Sequence, residues 1–204
     1  MAAQTRTGPD HFLSRSIAFM PDAMRAFLRR RLQEGAGIVL ALAGCALALA
    51  LSSYDSLDPS WNNAAGGPVA NLLGRHGALA ADAALQWLGL AALVPIAILV
   101  AWGVRLLLHR TLRAPFRRIV AGLFATGLAS VALAGLPVAP GWPLRSNLGG
   151  VTGDFAWGSL GAGTAHAARL VGLDATLVSP FVLGLVGLAA IASLFYALSV
   201  RLAE

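Results

Sequence analysis

Tyr54, Asp55, Asp58, Pro59 and Trp61, followed by Asn71, Gly74, Arg75, His76, Gly77 and Asp82, form the densest run of chemistry-capable side chains in this sequence. Three carboxylates near a histidine are ingredients for general acid–base work or a loose metal site, provided a second group is fixed beside the first. The sequence supplies no such fixing. His11, His76, His109 and His166 are scattered, Cys45 stands alone, and no Cys-x-x-Cys or His-x-x-x-His pair exists. No serine has a positioned base in any recognisable motif. Structural roles remain: Asp58-Pro59 favours a tight reversal, Tyr54 and Trp61 suit headgroup depth, Asn71 or Gly74 can start a helix, and Asp82 can cap amides or pair with Arg75 or Arg145.

A second candidate is phosphate chemistry. Gly149, Gly150 and Gly153 lie in a glycine-rich run that continues to Gly163, but the run matches no dinucleotide fingerprint. All fifteen basic residues are arginine, so the lysine of a phosphate-binding loop cannot be supplied here. The run reads as an outer turn and short helix on the bundle surface, or as a re-entrant segment. The chain is therefore expected to be no enzyme and to hold no cofactor or metal.

The elements that must carry these residues are membrane spans. Hydrophobic residues make up 57% of the chain and charged residues 12%, with a mean hydropathy of +0.72, against about 45–50% and about 25% in a soluble domain. The formal charge of +6 then reads as an orientation signal rather than a nucleic-acid footprint. Four apolar stretches, 35–51, 83–104, 119–136 and 176–200, are each long enough to cross about 30 Å of hydrocarbon. The fold class expected is an all-α membrane protein, a four-transmembrane-helix bundle with short loops. Ala48-Leu49-Ala50 resembles a signal-peptidase site, but the basic region before it is too long for a cleaved leader.

The connector between the second and third stretches sets the sides. Arg105, Arg110, Arg113, Arg117 and Arg118 crowd it with no acidic residue, and short arginine-rich loops stay cytoplasmic. Arg29, Arg30 and Arg31 do the same for the N-terminal segment, residues 1–34. With twelve arginines on one side and three on the other, both termini are expected in the cytoplasm. Residues 12–32 repeat apolar positions at helical spacing among arginines, which fits a helix lying on anionic headgroups, or equally a basic tail that only enforces orientation. Pro21 would divide such a helix, and Pro95 would kink the second span.

Small residues at Gly122, Thr126, Ser130 and Ala134, with Gly184 and Gly187 in the fourth stretch and Gly37, Ala41 and Cys45 in the first, offer seams for close helix packing within one bundle or between copies. No ionisable residue falls at mid-depth of a span, which argues against an ion-coupled carrier. A small stand-alone channel or carrier is the alternative to an anchor.

Ser53-Tyr-Asp-Ser-Leu-Asp-Pro-Ser-Trp61, the string from Pro68 to Asp82, Gly89-Leu-Ala-Ala92 followed by Trp102-Gly103, and Gly149-Gly-Val-Thr-Gly153 resemble the N-terminal four-span membrane domain of the FtsK/SpoIIIE DNA translocases. The likeness covers roughly Arg25 to Arg201. It implies a bacterial inner-membrane anchor at the division septum, contacts with other division proteins through the outer loops or the N-terminal segment, and a homo-oligomer, a hexamer in that family. It implies DNA as a partner only through a motor that lies outside these 204 residues.

Overall fold

The computed structural model describes residues 21–61, 68–110, 112–138, 140–142, 144 and 146–198. The stripe expected before Pro21, together with Arg145 and Arg201, falls outside them. Among the described residues the chain is helical, with no strand. The elements are α1 (Asp22–Ser52), α2 (Gly74–Leu88), a 3-10 turn (Gly89–Ala92), α3 (Leu93–Leu107), α4 (Pro115–Ala134), α5 (Gly150–Leu170) and α6 (Ala175–Leu198). Among the described residues four stretches are long and apolar enough to cross a membrane: Asp22–Ser52, Gly74–Leu107, Pro115–Ala134 and Ala175–Leu198.

Two antiparallel pairs carry the bundle, α1 on α3 and α4 on α6. Lipid gives helices no hydrophobic reason to associate, so each pair closes where missing side chains let backbones approach. On α1, a Cβ at Gly37 would stand 3.0 Å from Gly103 O, and one at Gly44 would stand 3.1 Å from Val100 N. On α3, a Cβ at Gly103 would lie 2.8 Å from Ala41 Cα. In the second pair Gly122, Ala125, Ala190 and Ala197 are buried or face one another. Cys45, Gly184 and Gly187 turn away from the seams, so Gly37 and Ala41 of α1 are joined there by Gly44, and α6 packs through Ala190 and Ala197.

The ends of the bundle differ in chemistry. At one, which we call the arginine end, Trp102 Nε1 donates to Ala197 O at 2.8 Å and Arg118 donates to Tyr196 O at 2.7 Å, tying α6 to α3 and α4. Arg30 approaches His109 at 3.3 Å, which brings the basic start of α1 beside the α3–α4 connector. The loop end holds α2, the 3-10 turn and α5.

Three features depart from the sequence reading. First, α1 runs unbroken from Asp22 to Ser52, so Arg25 to Arg31 stand on the same helix as the first apolar stretch. Secondly, the break in the second stretch lies at Gly89–Ala92, before Pro95. Asp82 is therefore inside α2 rather than at the start of a span. Thirdly, the second outer loop contains a 21-residue helix, α5, rather than a short one.

The α3–α4 connector stores backbone strain. His109 N donates to Leu106 O at 3.0 Å and Arg110 N to Arg105 O at 2.9 Å, the paired bonds of a Schellman cap, with His109 left-handed at φ 56° where glycine is usual. Ala114 is left-handed as well, at φ 52°. A Cβ in that region costs about 1–2 kcal/mol, part of which glycine gives back through the unfolded chain. Ala114→Gly is accordingly expected to stabilise the bundle by about 0.5–1 kcal/mol. Unfolding in mixed micelles measures it, and an unchanged or lower midpoint would show that no strain resides there.

Candidate functional site

Two hydrogen-bonded nodes organise the loop end, and together they contain the buried polar side chains found among the described residues: Asp58, Asn71, Asp82 and Ser130.

The first node ties the loop after α1 to the start of α2. Asp55 closes a turn, its carboxylate accepting from Leu57 N at 2.9 Å and its carbonyl from Asp58 N at 3.2 Å. That turn aims Asp58 inward, where Oδ1 accepts from Ala70 N at 2.7 Å and Oδ2 from Asn71 N at 3.0 Å. Asn71 completes the lock. Its Nδ2 donates to Ala50 O at 2.8 Å and Ser53 O at 3.2 Å, answering carbonyls at the open end of α1, and its Oδ1 accepts from Leu73 N at 3.1 Å. A side chain at Gly77 would collide with Asn71 Oδ1, and Gly74 takes a left-handed φ of 63° at the start of α2. Pro59 follows Asp58 on the way to Trp61, which is 83% exposed.

Asp82 belongs to the same end but makes no ion pair with Arg75. Its Oδ1 accepts from the Tyr54 hydroxyl at 3.2 Å and its Oδ2 from Gln86 Nε2 at 2.8 Å. Burial, and then the neighbouring Asp82 charge, push the Tyr54 phenol up to about 12. A raised folded value favours the protonated phenol, so this contribution to stability is complete below about pH 10 and is lost as pH rises towards 12. Tyr54→Phe is expected to flatten the alkaline fall in melting temperature between those pH values. An alkaline limb of unchanged slope would remove Tyr54 from that role.

The second node sutures the break in the second stretch. At Gly89, φ 58° and ψ −140°, the helix stops, and in an apolar setting every freed backbone group needs a new partner. The second outer loop supplies them. Leu90 N donates to Leu148 O at 2.8 Å, and the Thr152 hydroxyl donates to Trp87 O at 2.6 Å. The Ser130 hydroxyl, on α4, donates to Gly149 O and lies 2.9 Å from Thr152 Oγ1. Glycine is required because three backbones cross at contact distance. A Cβ at Gly149 would lie 2.8 Å from Ala134 N, one at Gly150 would lie 2.6 Å from Gly89 N, and one at Gly153 would lie 2.9 Å from Ser130 C. Asp154 then accepts from Asn147 N at 3.1 Å, closing the turn that enters α5.

The helix α2 bridges the nodes. It leaves the end of α1 at Asn71 and reaches α4 and α5 at Trp87, so the two helix pairs are joined across the loop end. Gly89, Ser130, Thr152 and Gln86 were not singled out by their chemistry in the sequence. Gly89 and Thr152 do lie inside motif strings that stand out there. The chemistry that results is mechanical. Among the described residues no group of three or more metal-ligating side chains forms, and the carboxylates of Asp58 and Asp82 accept from backbone amides, the Tyr54 hydroxyl and the Gln86 amide.

The arginines set apart for topology collect at the opposite end. Arg30 and Arg31 share Glu34 at 3.2 and 2.6 Å, Arg31 lies over the Phe27 ring, and Arg118 lies over Tyr196. Arg29, Arg110, Arg113 and Arg117 are exposed, and Arg105 is half-buried.

Both nodes lie within the stretch of the chain that matches known proteins. The family described as the 4TM region of DNA translocase FtsK/SpoIIIE matches residues 29–160, which takes in both nodes and α2. DNA translocase FtsK of Bradyrhizobium diazoefficiens is 36% identical over 139 residues, 68% of this chain and 17% of that protein. The Azospirillum brasilense FtsK is 39% identical over 137 residues, 66% of this chain and 22% of that protein. The Caulobacter vibrioides FtsK is 32% identical over 181 residues, 81% of this chain and 20% of that protein. The chain thus spans about a fifth of the length of these relatives. No solved structure matches it. The matched part is the membrane region, not the motor, in keeping with four apolar stretches and a multi-pass inner-membrane protein. By a match that runs from the first span into α5, the chain belongs to the FtsK/SpoIIIE family, as its four-span membrane region.

Proposed function

We propose that this chain is the membrane-anchoring and septum-targeting domain of an FtsK-like DNA translocase, with both termini cytoplasmic. The observation that carries the proposal is the family match over residues 29–160, a stretch that contains both loop-end nodes. Nucleotide hydrolysis and DNA movement are assigned to sequence outside these residues, which contain no lysine for a phosphate loop. Orientation follows from the arginine end, where the start of α1 and the connector meet.

A rigid loop end serves targeting if it displays fixed side chains to other division proteins. Leu57, Trp61 and Leu72 are exposed around the Asp58 node, which supports that use. Homo-oligomerisation is supported by Gly127, Gly184 and Gly187 on the spans, which have none of the described residues within 4 Å of an added Cβ, and the number of copies, six, comes from the family resemblance alone.

The test is imaging of a fluorescent fusion to residues 1–204 in dividing cells. The wild-type fusion is expected at midcell, and Leu57→Ser combined with Trp61→Ala is expected to disperse it around the membrane at equal abundance. Uniform distribution of the wild type would overturn the targeting role, and midcell recruitment of the double variant would overturn the outer-loop surface.

A further inference from the structure

The arginine end carries charge that the fold leaves unused. Arg30 and Arg31 share the single carboxylate of Glu34, and Arg118 is held by Tyr196 O and Arg113 O. Arg110, Arg113 and Arg117 are exposed and make no ion pair among the described residues. They project from a stiff turn rather than a tail. The Schellman bonds fix Arg110 at 2.9 Å from Arg105 O, two left-handed residues set the path of the connector, and Arg118 Nε holds Arg113 O at 2.7 Å.

Beside this charge lies exposed apolar surface. Leu108 is 61% exposed, Phe116 75% and Ile119 47%, all within the connector or the first turns of α4. Inorganic phosphate or a nucleic-acid backbone would satisfy the arginines but make no contact with these side chains, of which Phe116 and Ile119 open a membrane-spanning helix. A ligand with an anionic phosphodiester and hydrocarbon chains satisfies both, at the depth where an apolar span meets headgroups.

We propose that the α3–α4 connector binds an anionic phospholipid, its phosphate on Arg110, Arg113 and Arg117 and its acyl chains against Phe116 and Ile119. Binding does not depend on which face of the membrane the connector occupies. It goes beyond the anchoring role, because it makes the connector a selective lipid site rather than an orientation signal alone.

Native mass spectrometry of the purified chain in neutral detergent tests this, with cardiolipin and phosphatidylglycerol titrated against phosphatidylcholine. The anionic lipids are expected to be retained and phosphatidylcholine lost. The triple variant R110Q/R113Q/R117Q should weaken retention on the order of 100-fold, about fivefold per arginine, while R75Q/R169Q at the loop end should leave it unchanged. R110K/R113K/R117K keeps the charge and is expected to bind within about tenfold of wild type, so the reading survives a misfolded glutamine variant. Equal retention by the glutamine variant, or loss in the lysine variant to the level of phosphatidylcholine, would overturn the site. Competition by inorganic phosphate or a short DNA duplex as effective as by phosphatidylglycerol would overturn the part assigned to the acyl chains.

Discussion

Asp58→Ala is expected to destabilise the bundle by about 3 kcal/mol or more, at about 1.5–3 kcal/mol for each of two hydrogen bonds to a charged acceptor. Both oxygens are engaged, on Ala70 N and Asn71 N, and Asp58 is only 5% exposed. Truncation leaves two amides facing a cavity that water reaches poorly. Asp58→Asn keeps one acceptor and is expected to lose about half as much. Asn71→Ala removes the bonds to Ala50 O and Ser53 O and the bond from Leu73 N, about 2–3 kcal/mol for neutral pairs. The double variant should cost less than the sum, by about 1 kcal/mol, because Asp58 acts by holding the Asn71 backbone in place. Unfolding in sodium dodecyl sulfate mixed micelles supplies the four midpoints. Full additivity would mean that the two residues secure separate pieces of loop, and the node would not exist as a unit.

That outcome bears on how much of the fold the sequence displays. Spans announce themselves through hydropathy, and the match between 115–134 in the structure and 119–136 in the sequence reading rests on that strong signal. The break at Gly89 is invisible by the same measure, since Gly-Leu-Ala-Ala is as apolar as a continuous helix. What stops the helix there is a long-range event, the arrival of Leu148 O and Thr152 from a loop some sixty residues away (Thr152 O–H to Trp87 O is a separation of 65). Asp82 misleads for a related reason. A charged residue beside an apolar run reads as a span boundary, yet Tyr54 and Gln86 satisfy it inside α2. The candidate site was legible as a set of residues, because Asp55, Asp58, Asn71 and the glycines stand out in type and spacing. Their pairing was not, because Asp58 acts on the backbone of residues 70 and 71, whose side chains give no hint of it.

The other large effect is expected at Gly150. Its φ of 67° costs an L side chain about 1–2 kcal/mol, and a Cβ would stand 2.6 Å from Gly89 N and 2.7 Å from Leu88 N. Both neighbours are backbone, so no flexible side chain can swing aside, and overpacking of this kind costs a further 1–3 kcal/mol or so. Gly150→Ala should therefore destabilise by about 3–4 kcal/mol. Separating the two backbones also endangers the Leu90–Leu148 and Thr152–Trp87 bonds that make the helix break tolerable away from water. Gly158→Ala is the informative contrast, being inside α5 with none of the described residues within 4 Å of the added methyl. Helix propensity alone predicts a gain of up to about 1 kcal/mol there for the isolated chain. Melting both variants in the same detergent separates the cases. A loss at Gly158 comparable to that at Gly150 would mean that α5 packs against something beyond this chain, whereas a harmless Gly150→Ala would mean that the three backbones do not cross in contact and that the second span is not sutured by the outer loop.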